Sequence, residues 1–465
     1  MYAFVRASIV APVVLFASTW LAPVETGSAE GHAPALRAPT RLAIDSDTGS
    51  RAPFDSALAT ATFDSVWRTV GSSLEYRGVT RVDWPAVGRE LRPRAVHAAT
   101  DSALRTVITD MLSRIGESHF SVLPAQSVPA GASEATADES LGSSGLALRV
   151  VDQRVVVWRV DSAGAARRAG VAPGWIVERI DDHPIAALGD ADTLPAQRLS
   201  AIVGVMHVLR GAPNTPVRVI AHDGTGVTRD VTFARDSLRG PLVRFGNLPP
   251  LATAFDASRR TLSDGRCVGV IRFDYWLPPV MPAFDRAVQA SRDCAGIVLD
   301  LRGNPGGVAG MMMGAAGHFL GEPLTLGTMR TRGDEMRFVA NPRRATEAGV
   351  AVEPYSRPLA ILVDGMSAST TEMFSAALQA LGRARVFGER TAGQALPAMA
   401  TRLPNGDVLM HVIADFVAAD GSRIEGTGVR PDELVPLNRA DLSAGRDAPL
   451  SAALLWIERA RQGSP

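Results

Sequence analysis

The chain has 465 residues, 46% apolar and 21% charged, the composition of a globular protein long enough for two or three domains. Lys+Arg and Asp+Glu both number 48, so the formal net charge is zero and nothing in the composition supports a general attraction to nucleic acid or to an anionic membrane. The sequence contains no lysine; all 48 formal cations are arginine.

The N-terminus reads as an export signal over residues 1–29. Arg6 supplies the positive start, an apolar run extends from Ala7 to about Leu21 with Pro12 inside it, and Gly27-Ser28-Ala29 offers small residues for cleavage after Ala29. The run is short for a membrane span, which needs about 20 residues. No later run is longer, so the mature chain is expected to be periplasmic or secreted, without stable membrane insertion. Residues 30–52 are Ala-, Pro-, Thr- and Ser-rich and read as a flexible leader.

From residue 53 to 123 the pattern is helical. Phe63, Val66, Trp67 and Val70 share one helical face, and so do Leu104, Val107, Ile108 and Met111 in a second helix over 100–115. Residues 124–142 form a linker by composition. Short β-like runs follow at Leu146–Val151, Val155–Val160, Val217–Ala221 and Thr228–Phe233, with a small-residue helix at 164–169. From Cys267 onward, apolar strands alternate with helices: Val268–Phe273, a helix over 281–291, Ile297–Leu301, Leu359–Val363, a helix over 370–381, and a last helix over 448–460. Residues 407–416 read as one strand carrying His411, a structural histidine. Continuous apolar strands followed by helices imply a largely parallel sheet covered on both faces.

Cys267 and Cys294 lack CxxC spacing, which excludes a zinc site of the usual kind, and no metal or cofactor is expected. The two cysteines flank strands expected to be parallel neighbours. They can form a disulfide in an oxidising compartment or remain buried thiols.

Two segments carry chemistry. Leu299-Asp300-Leu301-Arg302-Gly303-Asn304-Pro305-Gly306-Gly307 takes a strand into a loop of bare backbone, which suits an oxyanion, a phosphate or merely a tight turn. It lacks the lysine of a P-loop. Ile361–Glu372, with Ser367-Ala368-Ser369-Thr370-Thr371-Glu372, takes a buried strand through a turn into a helix. Ser369 there is either an exposed nucleophile or a helix cap.

Together, LDLRGNPGG, SASTTE and the later GERTAGQ resemble the catalytic core of the C-terminal-processing (tail-specific) and tricorn-type serine proteases. The resemblance implies an α/β multidomain protein: a helical region (53–123), an inserted PDZ-like β domain (143–236) and an α/β protease core (237–465). Gly145-Leu146-Ala147-Leu148 is similar to a PDZ carboxylate-binding loop, and Ala163–Val177 to the helix and turn of such domains. A groove of this kind binds polypeptides, possibly through free C-termini.

The resemblance places the nucleophile at Ser369, and Thr370 with Gly306 or Gly307 as oxyanion donors. Most tail-specific proteases carry a lysine base 25 positions after the serine; here that position is Gln394. The tricorn-type members use histidine instead. Gly116-Glu117-Ser118-His119 and Ile424-Glu425-Gly426-Thr427-Gly428-Val429-Arg430-Pro431-Asp432 resemble the segments that supply their base and glutamate. The resemblance therefore implies His119 as general base, Ser118 as its orienting partner and Glu425 as the outer member of the relay. His119 is expected within about 2.6–3.2 Å of the Ser369 hydroxyl, or farther without substrate. The expected function is an exported serine endopeptidase. The alternative is a catalytically silent homologue that binds a hydrophobic ligand or peptide. Oligomeric state is open.

Overall fold

Strands buried on both faces need cover on both, and the central sheet is built that way. A computed structural model describes residues 54–125, 142–186, 195–238, 240–248 and 250–460. The export signal, the leader and most of the 124–142 linker lie outside the described residues. The central sheet runs Phe255–Thr261, Cys267–Phe273, Gly296–Asp300, Leu359–Val363, Arg385–Gly388, Glu433–Leu434. Its first pair is antiparallel and every later neighbour is parallel. Period-2 alternation divides the side chains between two cores. Ile297, Leu299, Ile361 and Val363 pack with Phe284, Met312, Phe374 and Leu378, from the helices Met281–Ala290, Met311–Gly317 and Thr370–Ala380. Val298, Ala360 and Leu362 face the opposite way onto Ala453 and Ile457 of the helix Ala448–Arg459.

A second sheet takes the order Leu146–Val151, Arg154–Val160, Ile176–Ile180, Pro216–His222, Thr228–Ala234, all antiparallel. Leu146–Val151 is its edge, and the helix Pro195–Val208 packs against that edge. The core of this unit extends onto Ala368 and Ala392 of the central domain.

Three helices, Ser56–Arg77, Trp84–Val96 and Asp101–Ser113, form the N-terminal unit. The Trp84–Val96 helix starts at Asp83, whose carboxylate accepts the Ala86 N–H, with Pro85 in the first turn. Immediately after this unit, Ser121–Leu123 pairs antiparallel with Val408–Val412, Ser121 opposite Met410. Val122 and Leu409 join the helical core. This pairing brings the N-terminal region onto the central domain.

The expected strand over 407–416 is two strands in different sheets. Val408–Val412 pairs with Ser121–Leu123 and Ala398–Arg402, and Asp415–Ala418 pairs with Leu324–Arg330. The break falls at Ile413-Ala414: the Ile413 N–H adds a last rung to the Pro397 carbonyl, and Pro397 has no N–H to return, so the ladder ends there. His411 is buried in the first strand, its Nε2 3.1 Å from Thr401 Oγ1.

Cys267 and Cys294 are disulfide-bonded, with Cα atoms 4.7 Å apart. They tie the starts of two parallel strands whose register opens at Val268 opposite Gly296. The closed loop spans 27 residues. Its loss is expected to cost about 3–4 kcal/mol by the chain-entropy argument. Urea unfolding of the Cys267→Ala/Cys294→Ala variant checks this, and an unchanged midpoint would refute it.

Candidate active site

Both glycine-bearing and serine-bearing loops leave the carboxyl ends of adjacent parallel strands, the edge where open α/β sheets place ligands. Asp300 lies opposite Leu362, and from there the two loops are laced together. Ser367 Oγ donates to the Leu301 carbonyl (2.9 Å), the Ala368 N–H to that of Asn304 (3.1 Å), and Thr370 Oγ1 to that of Gly307 (3.0 Å). Arg302 anchors the glycine loop from behind. It forks onto Asp300 (2.7 and 2.8 Å) and onto Asp447 (2.8 Å), the N-cap of the last helix.

Ser369 sits at φ 57°, ψ −119°, a conformation that residues with a side chain rarely adopt and that persists only when its surroundings enforce it. The enforcement is visible. The Asp364 carboxylate accepts the N–H groups of Gly303 (2.9 Å) and Met366 (3.0 Å), and Arg149 from the second sheet donates Nε to it (2.6 Å). Glu372, one turn into the following helix, accepts the Ser369 N–H (3.0 Å). Gly306 presses on the turn from outside: a Cβ there would lie 2.8 Å from Ser369 Cβ. Ser369 Oγ is buried and makes no hydrogen bond to any described residue.

His119 lies two residues before the strand Ser121–Leu123, also at positive φ, 63°. Its Nδ1 is 2.6 Å from Ser118 Oγ, which donates to Glu425 Oε2 (2.9 Å). Glu425 Oε1 accepts the Ser118 N–H and Oε2 the Ala395 N–H, both at 2.9 Å. A carboxylate only accepts, so the single Ser118 proton points to Glu425 and the hydroxyl oxygen accepts Nδ1–H. This fixes the tautomer that leaves Nε2 with a free lone pair. Burial depresses the imidazole pKa to about 4, and burial raises that of Glu425 while its three donors oppose the rise. The preceding residue, Glu117, is gripped by Arg77 and Arg81 at 2.8 Å each. Arg77 also reaches Asp415 (2.7 Å), which fixes the turn against the first helix and the strand Asp415–Ala418.

Ser118, His119 and Glu425 therefore come together from opposite ends of the chain. The direct His119–Ser369 hydrogen bond is not formed in this structure: Ser369 Oγ has no hydrogen-bond partner among the described residues. The two arms are instead joined through the loop 391–395, which leaves the carboxyl end of Arg385–Gly388. Gly393 and Gln394 donate to Glu372 (2.8 Å each), and Ala395 donates to Glu425. Gln394 thus sits at the centre of the site, bound there by its backbone.

Of the expected oxyanion donors, the Gly306 N–H is occupied by Asn304 Oδ1 at 2.9 Å. Gly307, at φ 149°, is wedged against the Trp276 carbonyl. In the Gly145–Leu148 segment, Gly145 has φ 70° and Leu146, Ala147 and Leu148 lie in the edge strand. The Gly145 N–H donates to Ser143 Oγ (3.0 Å) and that of Leu146 to Ser144 Oγ (3.3 Å). Sequence reasoning missed Glu372, Asp364 and Arg149. Glu372 had a readable signal, the S-x-x-E spacing of a capping box. The contact between Arg149 and Asp364 joins two sheets far apart in sequence and had none.

Residues 267–435 match the profile of peptidase family S41. The carboxyl-terminal-processing protease of Synechocystis is 26% identical over 396 residues, covering 83% of this chain and 84% of the relative. The carboxy-terminal-processing protease of Bartonella bacilliformis is 27% identical over 307 residues, and there the match spans 62% of the relative's length. Among solved structures, a photosystem II D1 C-terminal processing protease superposes with a TM-score of 0.54 at 20% identity, covering 86% of this chain and 97% of that one, a likeness of fold. The chain is a serine-type peptidase of mixed α/β architecture. Its segment 267–435 is similar to peptidase family S41, and its relatives include C-terminal-processing proteases.

Proposed function

We propose that the chain is an exported serine endopeptidase with Ser369 as nucleophile, His119 as general base, Ser118 as its orienting partner and Glu425 as the terminal acceptor. The observation that carries this reading is the series Glu425–Ser118–His119, which leaves Nε2 unprotonated in a chain without lysine. It is tied by hydrogen bonds to the strained turn bearing Ser369. Nε2 takes the Ser369 proton as Oγ attacks the scissile carbonyl. The imidazolium is stabilised through Ser118 by Glu425. The oxyanion is received by the N–H groups of Thr370 and Gly307, since Gly306 already spends its own on Asn304. Collapse expels the amine, which leaves with the proton from Nε2. Water then repeats the cycle on the acyl-enzyme.

Residues 143–236 act in this reading as a PDZ-like domain and 237–465 as the protease core, with 53–123 delivering the base. The edge strand Leu146–Val151 and the helix beside it offer a place for a polypeptide to add as a strand. Its terminal carboxylate would take the Gly145 and Leu146 N–H groups from the serine hydroxyls that now hold them. The disulfide favours an oxidising compartment, as does the signal-like N-terminus. No helix among the described residues is long and apolar enough to cross a membrane.

The test is covalent. A fluorophosphonate should label the purified protein once, at Ser369, and mass spectrometry of a peptide-library digest should show internal cleavage. Absence of both would favour the silent binding homologue. Gly306→Ala is expected to lower turnover at least tenfold with the fold retained. Its φ of 105° and the 2.8 Å approach to Ser369 Cβ force the nucleophile turn to shift. Steady-state kinetics with wild-type rates would show that the turn tolerates displacement.

A further inference from the structure

We propose that Glu372 is a positioning residue for the reaction: it holds the nucleophile turn at a fixed distance from the base by gripping the loop 391–395. The proposal rests on the peptidase reading above. Glu372 is fully buried at the third position of the Thr370–Ala380 helix. No arginine pairs with it among the described residues. Four neutral donors converge on it instead: the N–H of Ser369 (3.0 Å), the hydroxyl of Thr391, and the N–H groups of Gly393 and Gln394 (2.8 Å each). An uncompensated buried carboxylate is costly, so its presence calls for a task that a neutral residue cannot do. The task is geometric. Two oxygens that only accept can take four donors at once, whereas glutamine has one acceptor oxygen and would turn N–H groups toward N–H groups.

The donors are not arbitrary. Three consecutive backbone N–H groups, those of 393, 394 and 395, are divided between two buried carboxylates. Glu372 takes the first two and also holds Ser369, while Glu425 takes the third and also holds Ser118. Two further contacts brace the loop on its outer side. The Gly426 N–H donates to the Gly393 carbonyl (2.8 Å), and a Cβ on Gly428 would lie 2.5 Å from the Thr391 carbonyl. The segment thus acts as a spacer between nucleophile and base, and Glu372 sets its position at the nucleophile end. A displacement of about 1 Å at a reacting pair is enough to cost on the order of a hundredfold in rate.

The test uses the purified full chain and a peptide substrate, with kcat expressed per serine titrated by fluorophosphonate, so that unfolded or inactive molecules do not count. Glu372→Gln is expected to lower this kcat between about tenfold and a hundredfold, with KM changed less than about threefold. Thr391→Val, which removes one donor and leaves the carboxylate, is expected to lower it several-fold in the same sense. Should Glu372→Gln fail to fold, Thr391→Val decides. A kcat per titrated serine within twofold of wild type, in whichever variant decides, overturns the proposal, because a purely structural role would reduce only the number of active molecules. An inactive wild type, or a Ser369→Ala variant with full activity, would instead overturn the peptidase reading.

Discussion

Replacing Ser369 by alanine is expected to abolish peptide hydrolysis, by a factor on the order of 10⁴–10⁶, while leaving the fold unchanged. The second half of that expectation is specific to this structure. A serine that opens a helix usually contributes a capping hydrogen bond worth about 1 kcal/mol. Ser369 Oγ makes none with the described residues, and the reach-back contact at this helix start comes from Glu372 onto the Ser369 N–H, which alanine retains. The positive φ is as unfavourable for alanine as for serine, so the strain also survives the exchange. Thermal unfolding should therefore move by less than about 1 kcal/mol equivalent. A variant that still cleaves peptides at the wild-type rate would remove Ser369 from the mechanism.

Much of this site was legible because its parts are local. The turn Asp364–Ser369 follows a strand of five apolar residues and precedes an amphipathic helix, and both boundaries fall where the apolar pattern places them. The glycine loop after Asp300 is equally local. His119 and Glu425 were legible only by resemblance, since no periodicity links residues on separate elements. What brings them together is the pairing of Ser121–Leu123 with Val408–Val412 and the Glu117–Arg77 contact. Both are long-range events decided by packing. The break between Val412 and Asp415 was misread for a related reason. A nearly continuous apolar run, Val408 to Ala414, passes straight through it, and only the tertiary partners show that the chain changes sheets there. The proposed oxyanion glycine rests on a side chain invisible to pattern reading, because Asn304 occupies the Gly306 N–H.

His119→Ala is expected to remove nearly all activity, by a loss on the order of 10⁴-fold or more, and with it the acid limb of the pH profile. From an ordinary imidazole the limb would lie near 6.5. Burial lowers the His119 pKa to about 4, so the base stays neutral and competent through the whole neutral range. The sign follows from the base role. Activity is full while Nε2 is unprotonated and falls as pH drops through about 4. The fold opposes protonation in the same direction, so stability contributed by the neutral imidazole is present above 6.5 and lost as pH falls through about 4. Glu372, like Glu425 a buried acid of the site, is pushed up to about 7 by burial. A fall in kcat/KM between pH 7 and 6 therefore belongs to Glu372 and should vanish in Glu372→Gln, with the limb near 4 remaining. The kcat/KM profile is the right readout because it reports the free enzyme, the state in which His119 is buried. A His119→Ala variant with undiminished turnover would exclude imidazole as the base. A single limb at 6.5 that disappears only with His119 would show that the imidazole is solvated before substrate arrives.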